Sequence, residues 1–326
     1  MRLGSIELNP PVIAAPMAGI TDQSFRIIAR ELGATLVITE MVSCKGLIYN
    51  QAKTWELLAT DEREQPIAVQ LFGSVPDEVA RAACLIEEKV PCVSIDINMG
   101  CPTPKITKNG EGAALLLNPR LAGEIVRSTV KAVSLPITVK TRKSWDDFSP
   151  TAIELAKEVE QAGAAAITVH GRTRAAFYGG KADWDIIRRV RETVSIPVIG
   201  NGDVFSGFDA LRLMAETGCH GIMVGRGALG NPWLYRDAYR ALLGLPALPA
   251  PTIQERLQLA TRQLTMTIER KGEYTAIREM RQHLAWYIRG VPGAARWRDL
   301  INKTSSPEDL RVILSKIADS SQLPAD

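Results

Sequence analysis

Short apolar runs rich in β-branched residues alternate with longer amphipathic stretches along most of the chain. The runs are VIAAPM (12–17), LVITEM (36–41), IAVQLF (67–72), CVSIDINMG (92–100), ITVKTR (137–142), AAITVHG (165–171), PVIGNG (197–202) and GIMVGRG (221–227). Runs apolar on both pleat faces suit parallel strands buried between helices, and eight of them within one stretch is the scale of a (β/α)8 barrel. Between them, AIELAKEVEQAGA (152–164) and FDALRLMAETGC (208–219) space apolar residues three and four apart, and each closes on a glycine suited to a helix end. An open doubly wound sheet is the weaker alternative, since nothing signals a reversal of strand order. The pattern stops near residue 240, where the Pro-rich joint GLPALPAP (244–251) leads into helical sequence with no further strand signal. The expected architecture is α/β: a (β/α)8 TIM barrel over 1–243 followed by an all-helical domain over 244–326.

Chemistry in such barrels gathers at the C-terminal ends of the strands. Those ends carry Pro16, Met17 and Ala18 on the first, Gln70 on the third, and Asn98 followed by Cys101 on the fourth. Lys140 and Arg142 end the fifth, His170 and Arg172 the sixth, Asn201, Gly202 and Asp203 the seventh, and Gly225 and Arg226 the eighth. Singly, each reads best as a rim residue paired with a neighbour; together they predict a polar mouth. Gly202 and Gly225 let backbone approach a ligand closely, and Arg226 can grip phosphate oxygens with its planar fork, at the two strands where barrels often build a phosphate cup. GRGALG (225–230) matches the dinucleotide pattern GxGxxG, but helix follows it instead of a strand with a ribose-binding acid, so that reading is rejected. A buried Lys140 needs an anion or a hydrogen-bonding partner, Gln70 offers a donor and an acceptor, and His170 adds a contact. A phosphate cup beside amide-reading groups suggests FMN.

Composition narrows the setting. The net charge of +3 over 326 residues is too small to define a partner globally, so any anionic partner must meet a local patch. No basic, apolar leader follows Met1 and no apolar run reaches membrane length, which predicts a cytoplasmic protein with no membrane partner. Five cysteines without a CxxC pair argue against a disulfide framework and a zinc site, and no metal is expected. The local patch is at 256–298, with nine basic residues against three acidic ones. There Arg278, Arg281 and Arg289 are expected on one helix face, beside an apolar stripe of Ile277, Met280, Leu284 and Ile288. Trp286, Tyr287 and Trp297 interleave with the arginines and tilt the reading from a solvated face toward a nucleic-acid surface.

Cys101 closes SIDINMGCPTPK (94–105), a strand that runs into a rigid Gly-Cys-Pro turn. A free thiol titrates near ~8.5, so at neutral pH it can give a proton, and nothing nearby in sequence marks a nucleophile's base. The Gly-rich TPKITKNGEGAALL that follows is long for such a loop and reads as a mobile lid. The other four cysteines read as packing residues.

These residues resemble the tRNA-dihydrouridine synthase family over nearly the whole chain, most of all its bacterial B-type group. The motifs are APMAGITD (15–22), QLFGS (70–74), DINMGCPTPK (96–105), VKTR (139–142), VHGRTR (169–174), YGGKADW (178–184), NGDV (201–204), GRGALGNPW (225–233) and REMRQHLAWYIRGVPGAARWR (278–298). The resemblance implies an FMN enzyme that uses NADPH to reduce uridines in tRNA. FMN would contact Pro16, Met17, Ala18, Gln70, Lys140, His170, Asn201, Gly202, Asp203, Gly225 and Arg226. Asn98 would help hold the uracil, hydride would pass from flavin N5 to uracil C6, and Cys101 would protonate C5. Arg278, Arg281 and Arg289 would meet the RNA, and no stable protein partner is implied. The rivals are a barrel flavoprotein acting on a free pyrimidine, as in dihydroorotate dehydrogenases, and a tRNA-binding chaperone on a retired barrel.

Overall fold

The eight apolar runs form eight parallel strands, each hydrogen-bonded to the next, with the last returning to the first. They are β1 (Val12–Ala14), β2 (Leu36–Ser43), β3 (Ile67–Phe72), β4 (Ser94–Met99), β5 (Ile137–Arg142), β6 (Ala166–His170), β7 (Val198–Asn201) and β8 (Gly221–Val224). The protein was analysed as a computed structural model that describes residues 1–4, 6–149 and 151–320. Closure explains why the runs lack polar alternation: one face of each strand meets the barrel interior and the other meets helices. Val12, Val37, Val69, Ile97, Val139 and Val169 are fully buried on the outer face. Ile13, Ile38, Ala68, Ala166, Ile199 and Met223 fill the inside. A short antiparallel ribbon, Arg2–Leu3 with Ile6–Glu7, adds Leu3 and Leu8 to this inner cluster and plugs the N-terminal end. The opposite end is left for the site.

The covering helices are α1 (Gln23–Glu31), α2 (Pro76–Lys89), α3 (Pro119–Ala132), α4 (Ala152–Gln161), α5 (Asp185–Thr193), α6 (Gly207–Thr217) and α7 (Trp233–Leu242). Gly218 ends α6 in the left-handed region at φ 65°, as its sequence position predicts. The chain after β4 is not an open loop. Pro104–Thr107 and Gly112–Leu117 are helical turns anchored by buried Ile106, Ala113, Leu115 and Leu116, while Thr103–Lys105 and Lys108–Gly110 are exposed. Of the cysteines read as packing residues, Cys44 and Cys219 are buried and Cys92 is half-buried, but Cys84 faces solvent on the outer side of α2.

Beyond the Pro-rich joint, Thr252 and Glu255 form a capping box that starts α8 (Ile253–Lys271). Helices α9 (Glu273–Tyr287), α10 (Ala294–Lys303) and α11 (Pro307–Ser320) complete a second core in which Ile277, Met280, Leu284 and Ile288 are all buried. Many of the basic residues here hold the helices to the barrel or to one another. Arg262 pairs with Glu31 at 2.6 Å, Lys271 with Asp22 at 3.2 Å, and Arg270 donates to the Glu56 carbonyl at 2.9 Å. Arg256 donates to the carbonyls of Tyr287 and Arg289. At Gly230, with φ 72°, a Cβ would stand 2.3 Å from the Trp286 carbonyl oxygen, so only glycine lets α9 come this close.

Candidate active site

A cavity of about 350 Å³ opens at the C-terminal mouth of the barrel, within the range of small-molecule sites. Its wall includes every barrel residue singled out from the sequence as cofactor-binding or catalytic, together with Asn98. Pro16, Met17 and Ala18, with Ile20, Met41 and Met223, make one apolar side. Gln70, Asn98, Lys140, His170 and Asn201 make the polar side and floor, and Gly202, Asp203, Gly225 and Arg226 edge the β7–β8 end.

Lys140 lies two residues before the end of β5 and lines the mouth; Nζ donates to Asn201 Oδ1 at 3.2 Å. Asn201 is held in turn by Nδ2 donating to the Met223 carbonyl at 2.7 Å. Burial, with Arg142 adding repulsion, brings Lys140 down to about 8 from 10.5, while Asp96 and Cys101 act in the opposite direction. His170 is buried, and desolvation plus the charges of Lys140, Arg142, Arg172 and Arg226 hold it far below the usual histidine range. It is therefore a neutral imidazole.

Two of these cations also shape the wall. Arg142 donates to the carbonyls of Gly100, Thr173 and Phe177, at 2.8, 3.0 and 2.7 Å. Arg172 binds Asp203 at 2.7 and 2.9 Å and the carbonyls of Gly179 and Gly180. Asp203 thus serves the arginines: it also receives the Ala182 amide and lies 3.6 Å from Arg226, whose guanidinium stacks on Tyr178. A Cβ on Gly202 would meet Ala182 Cβ at 2.7 Å and His170 at 3.0 Å, and its φ of 121° is closed to other residues.

The turn carrying Cys101 is tied down on both sides. Asn98 Oδ1 accepts from the amides of Gly100 at 3.1 Å and Cys101 at 2.9 Å, a side-chain-to-backbone turn that the Asn-Met-Gly-Cys order builds locally. Ala113 N–H donates to the Cys101 carbonyl at 3.0 Å, and Gly112 must lack a Cβ because one would stand 2.9 Å from that oxygen. The Cys101 thiol is half-buried, with Thr103 Oγ1 at 3.4 Å.

Asp96 escaped the sequence reading. It is buried on β4 below Asn98 and accepts from Gln70 Nε2 at 2.7 Å and Thr138 Oγ1 at 2.6 Å. Burial pushes its carboxyl up, against the two hydrogen bonds and Lys140. Met41 and Tyr178 on the cavity wall were also missed. Met41 follows a register shift in β2 that no sequence signal announces.

Farther out, the three arginines expected on one face separate. Arg278 is exposed and stacks on Tyr274 at 3.7 Å. Arg281 turns to the Thr304 carbonyl at 2.9 Å, and Arg289 lies beyond the end of α9. Tyr287 is a core residue donating to Gln263, and Trp297 packs on the helical core, so the exposed aromatic beside an arginine is Tyr274.

Comparison with known proteins gives a consistent result. The family described as dihydrouridine synthase (Dus) matches residues 12–322. A probable tRNA-dihydrouridine synthase of Rickettsia conorii is 40% identical over 94% of this chain and 93% of its own length. One of Mycobacterium tuberculosis H37Rv is 38% identical over 97% and 84%. The tRNA-dihydrouridine synthase B of Pasteurella multocida is 37% identical over 96% and 94%. Among solved structures, an old yellow enzyme homologue from Zymomonas mobilis superposes with a TM-score of 0.53 at 14% identity, over 78% of this chain and 94% of that one. Histamine dehydrogenase from Rhizobium sp. 4-9 does so with 0.57 at 15%, over 82% and 50%. At such low identity these two speak for the fold alone.

Proposed function

The chain belongs to the dihydrouridine synthase family, and from that premise we propose that it is a tRNA-dihydrouridine synthase, an FMN oxidoreductase that reduces the C5=C6 bond of selected tRNA uridines with NADPH. The observation that carries this reading is the convergence of the strand-end residues and the Cys101 turn on one cavity.

The wall suits a group with a flat apolar face, a hydrogen-bonding edge and an anionic tail. Met17 and Met41 offer the apolar contact, Lys140 and the neutral His170 meet the polar edge, and Gly202, Gly225 and Arg226 leave room and charge for a phosphate. FMN held there would supply the hydride drawn from NADPH. Lys140, aimed by Asn201, would oppose negative charge at the floor, and Asp203 keeps Arg172 and Arg226 in place. Reduction of uracil at C6 builds enolate charge that an acid must quench at C5, and Cys101 is the thiol on the cavity wall. Asn98 holds the Cys101 turn and faces the same space, where it would also meet the uracil. A base reaches such a site only by leaving its stack, so the enzyme needs a grip on the RNA outside the barrel. In this reading the barrel, 1–243, is the catalytic domain and 244–326 the tRNA-binding domain, with Arg278, Arg281 and Arg289 toward the RNA and the work done in the cytoplasm.

The test is to incubate the purified protein with NADPH and tRNA from a strain lacking dihydrouridine, then map reduced uridines by mass spectrometry of nuclease fragments. Dihydrouridine at one or two D-loop positions is expected. Bound FMN that cycles with NADPH while no uridine is reduced would refute the assignment and favour a free pyrimidine as substrate.

A further inference from the structure

Asp96 is left unexplained by this reading, although it is 1% exposed inside the barrel. A carboxylate in such a place is costly unless its hydrogen bonds are made, and a leucine would fill the layer without that cost. Its purpose is legible in the direction of the bonds above it. The amides of Gly100 and Cys101 can only donate, so the atom of Asn98 that faces them is Oδ1. Nδ2 of Asn98 is thereby turned to Gln70 and donates to its Oε1 at 2.8 Å. Gln70 is then left with Nε2 toward Asp96 and donates to its Oδ2 at 2.7 Å. Backbone donors at one end set the orientation of both carboxamides, and the acceptor oxygen of Asp96 at the other end matches it.

We propose that Asp96 is a positioning residue: it terminates a one-way hydrogen-bond relay through Gln70 and Asn98 that fixes the turn presenting Cys101. With Asp96 gone, Gln70 can turn over, and its Nε2 then faces Asn98 Nδ2, donor against donor. Asn98 loses its anchor, and the amides of Gly100 and Cys101 lose a fixed acceptor. Asp96 itself does not line the cavity; its effect passes through Gln70 and Asn98 to the placement of the thiol. The consequence for catalysis rests on the role proposed for Cys101, whereas the relay itself does not.

Amide hydrogen exchange of the full-length protein, resolved at Gly100 and Cys101, tests the relay without reference to activity. In Asp96→Ala these two amides are expected to exchange about tenfold faster, the net worth of roughly one hydrogen bond, while amides of β5 and β6 keep their rates. Asp96→Asn retains an acceptor for Gln70 and a donor for Thr138, so it is expected to restore slow exchange. Should Asp96→Ala not fold, Gln70→Leu cuts the relay one step higher and carries the same expectation. Turnover is expected to fall in kcat with the KM for tRNA unchanged. Unaltered exchange at Gly100 and Cys101 in the cut variants, or fast exchange in Asp96→Asn, would overturn the proposal. Failure of the wild-type protein to form dihydrouridine would instead strike the functional assignment and leave the exchange result standing.

Discussion

Replacing Lys140 by Met should make the flavin-free protein more stable while impairing its function. In the folded chain Lys140 titrates at about 8 against an ordinary 10.5, because burial and Arg142 oppose its charge. At about 1.36 kcal/mol per pH unit, that drop sets an upper bound of about 3.4 kcal/mol on the cost of keeping it charged near pH 7. Lys140 is half-buried and faces the open cavity, so solvent screening reduces the figure to ~2 kcal/mol. With an unfolding entropy of about 2.1 cal/mol/K per residue, the variant's Tm should rise by about 3 °C. The pH dependence carries the sign. Below pH 8 both folded and unfolded chains hold the proton and the cost is complete. Between about 8 and 10.5 the folded chain has released it while the unfolded chain has not, so wild-type stability rises with pH through that window and the advantage of the variant shrinks to nothing. Urea titrations of the two flavin-stripped proteins at pH 7, 9 and 10.5 measure this directly. A variant less stable than wild type at pH 7, or a gap that does not close with pH, would refute the idea that Lys140 is held charged at a cost for the sake of an anionic ligand.

Cys101→Ala should leave flavin absorbance and its reduction by NADPH intact but lower dihydrouridine formation by about 10²- to 10⁴-fold, the usual share of a general acid; equal loss of both would make the thiol structural. Arg278→Ala should weaken tRNA binding and reduce the slope of log K against log salt by about 1, as expected for one lost phosphate contact; an unchanged slope would remove Arg278 from the RNA surface. Glu64→Gln leaves the buried Arg26 without its counter-charge, now 2.6 Å away, and should cost about 3–5 kcal/mol in urea unfolding with the m-value unchanged.

The barrel was legible because a strand covered on both faces has few ways to be anything else, and eight such runs with helices between them leave little choice of closure. The mouth was legible for a related reason: polar residues at the ends of otherwise apolar strands have no partner within the strand. Asp96 was missed because it sits inside a run, short of the strand end where polar residues mark the mouth. Parity was the available signal, since Asp96 and Asn98 share one strand face, as do Thr138 and Lys140 on the neighbouring strand. The helical region was harder to read. A count of arginines does not distinguish Arg262, whose charge meets Glu31 across 231 residues of chain, from Arg278, which meets solvent. That difference belongs to tertiary structure, and helical periodicity carries no trace of it.

The cationic wall has a consequence for selectivity. Arg142 on the cavity wall and Arg172 behind it spend their donors on the carbonyls of Thr173, Phe177, Gly179 and Gly180, so the segment after β6 is fixed by charges at the mouth. Their guanidinium charges are not cancelled by those neutral partners, and the two carboxyl groups near them, Asp203 and Asp96, cannot balance Lys140, Arg142, Arg172 and Arg226 together. A positive field is therefore built into the mouth before any ligand arrives, and it favours any anion of suitable size. Such a field holds a cofactor but cannot choose a reaction. The choice falls to groups whose direction matters more than their charge: the thiol of Cys101 and the carboxamides that aim it.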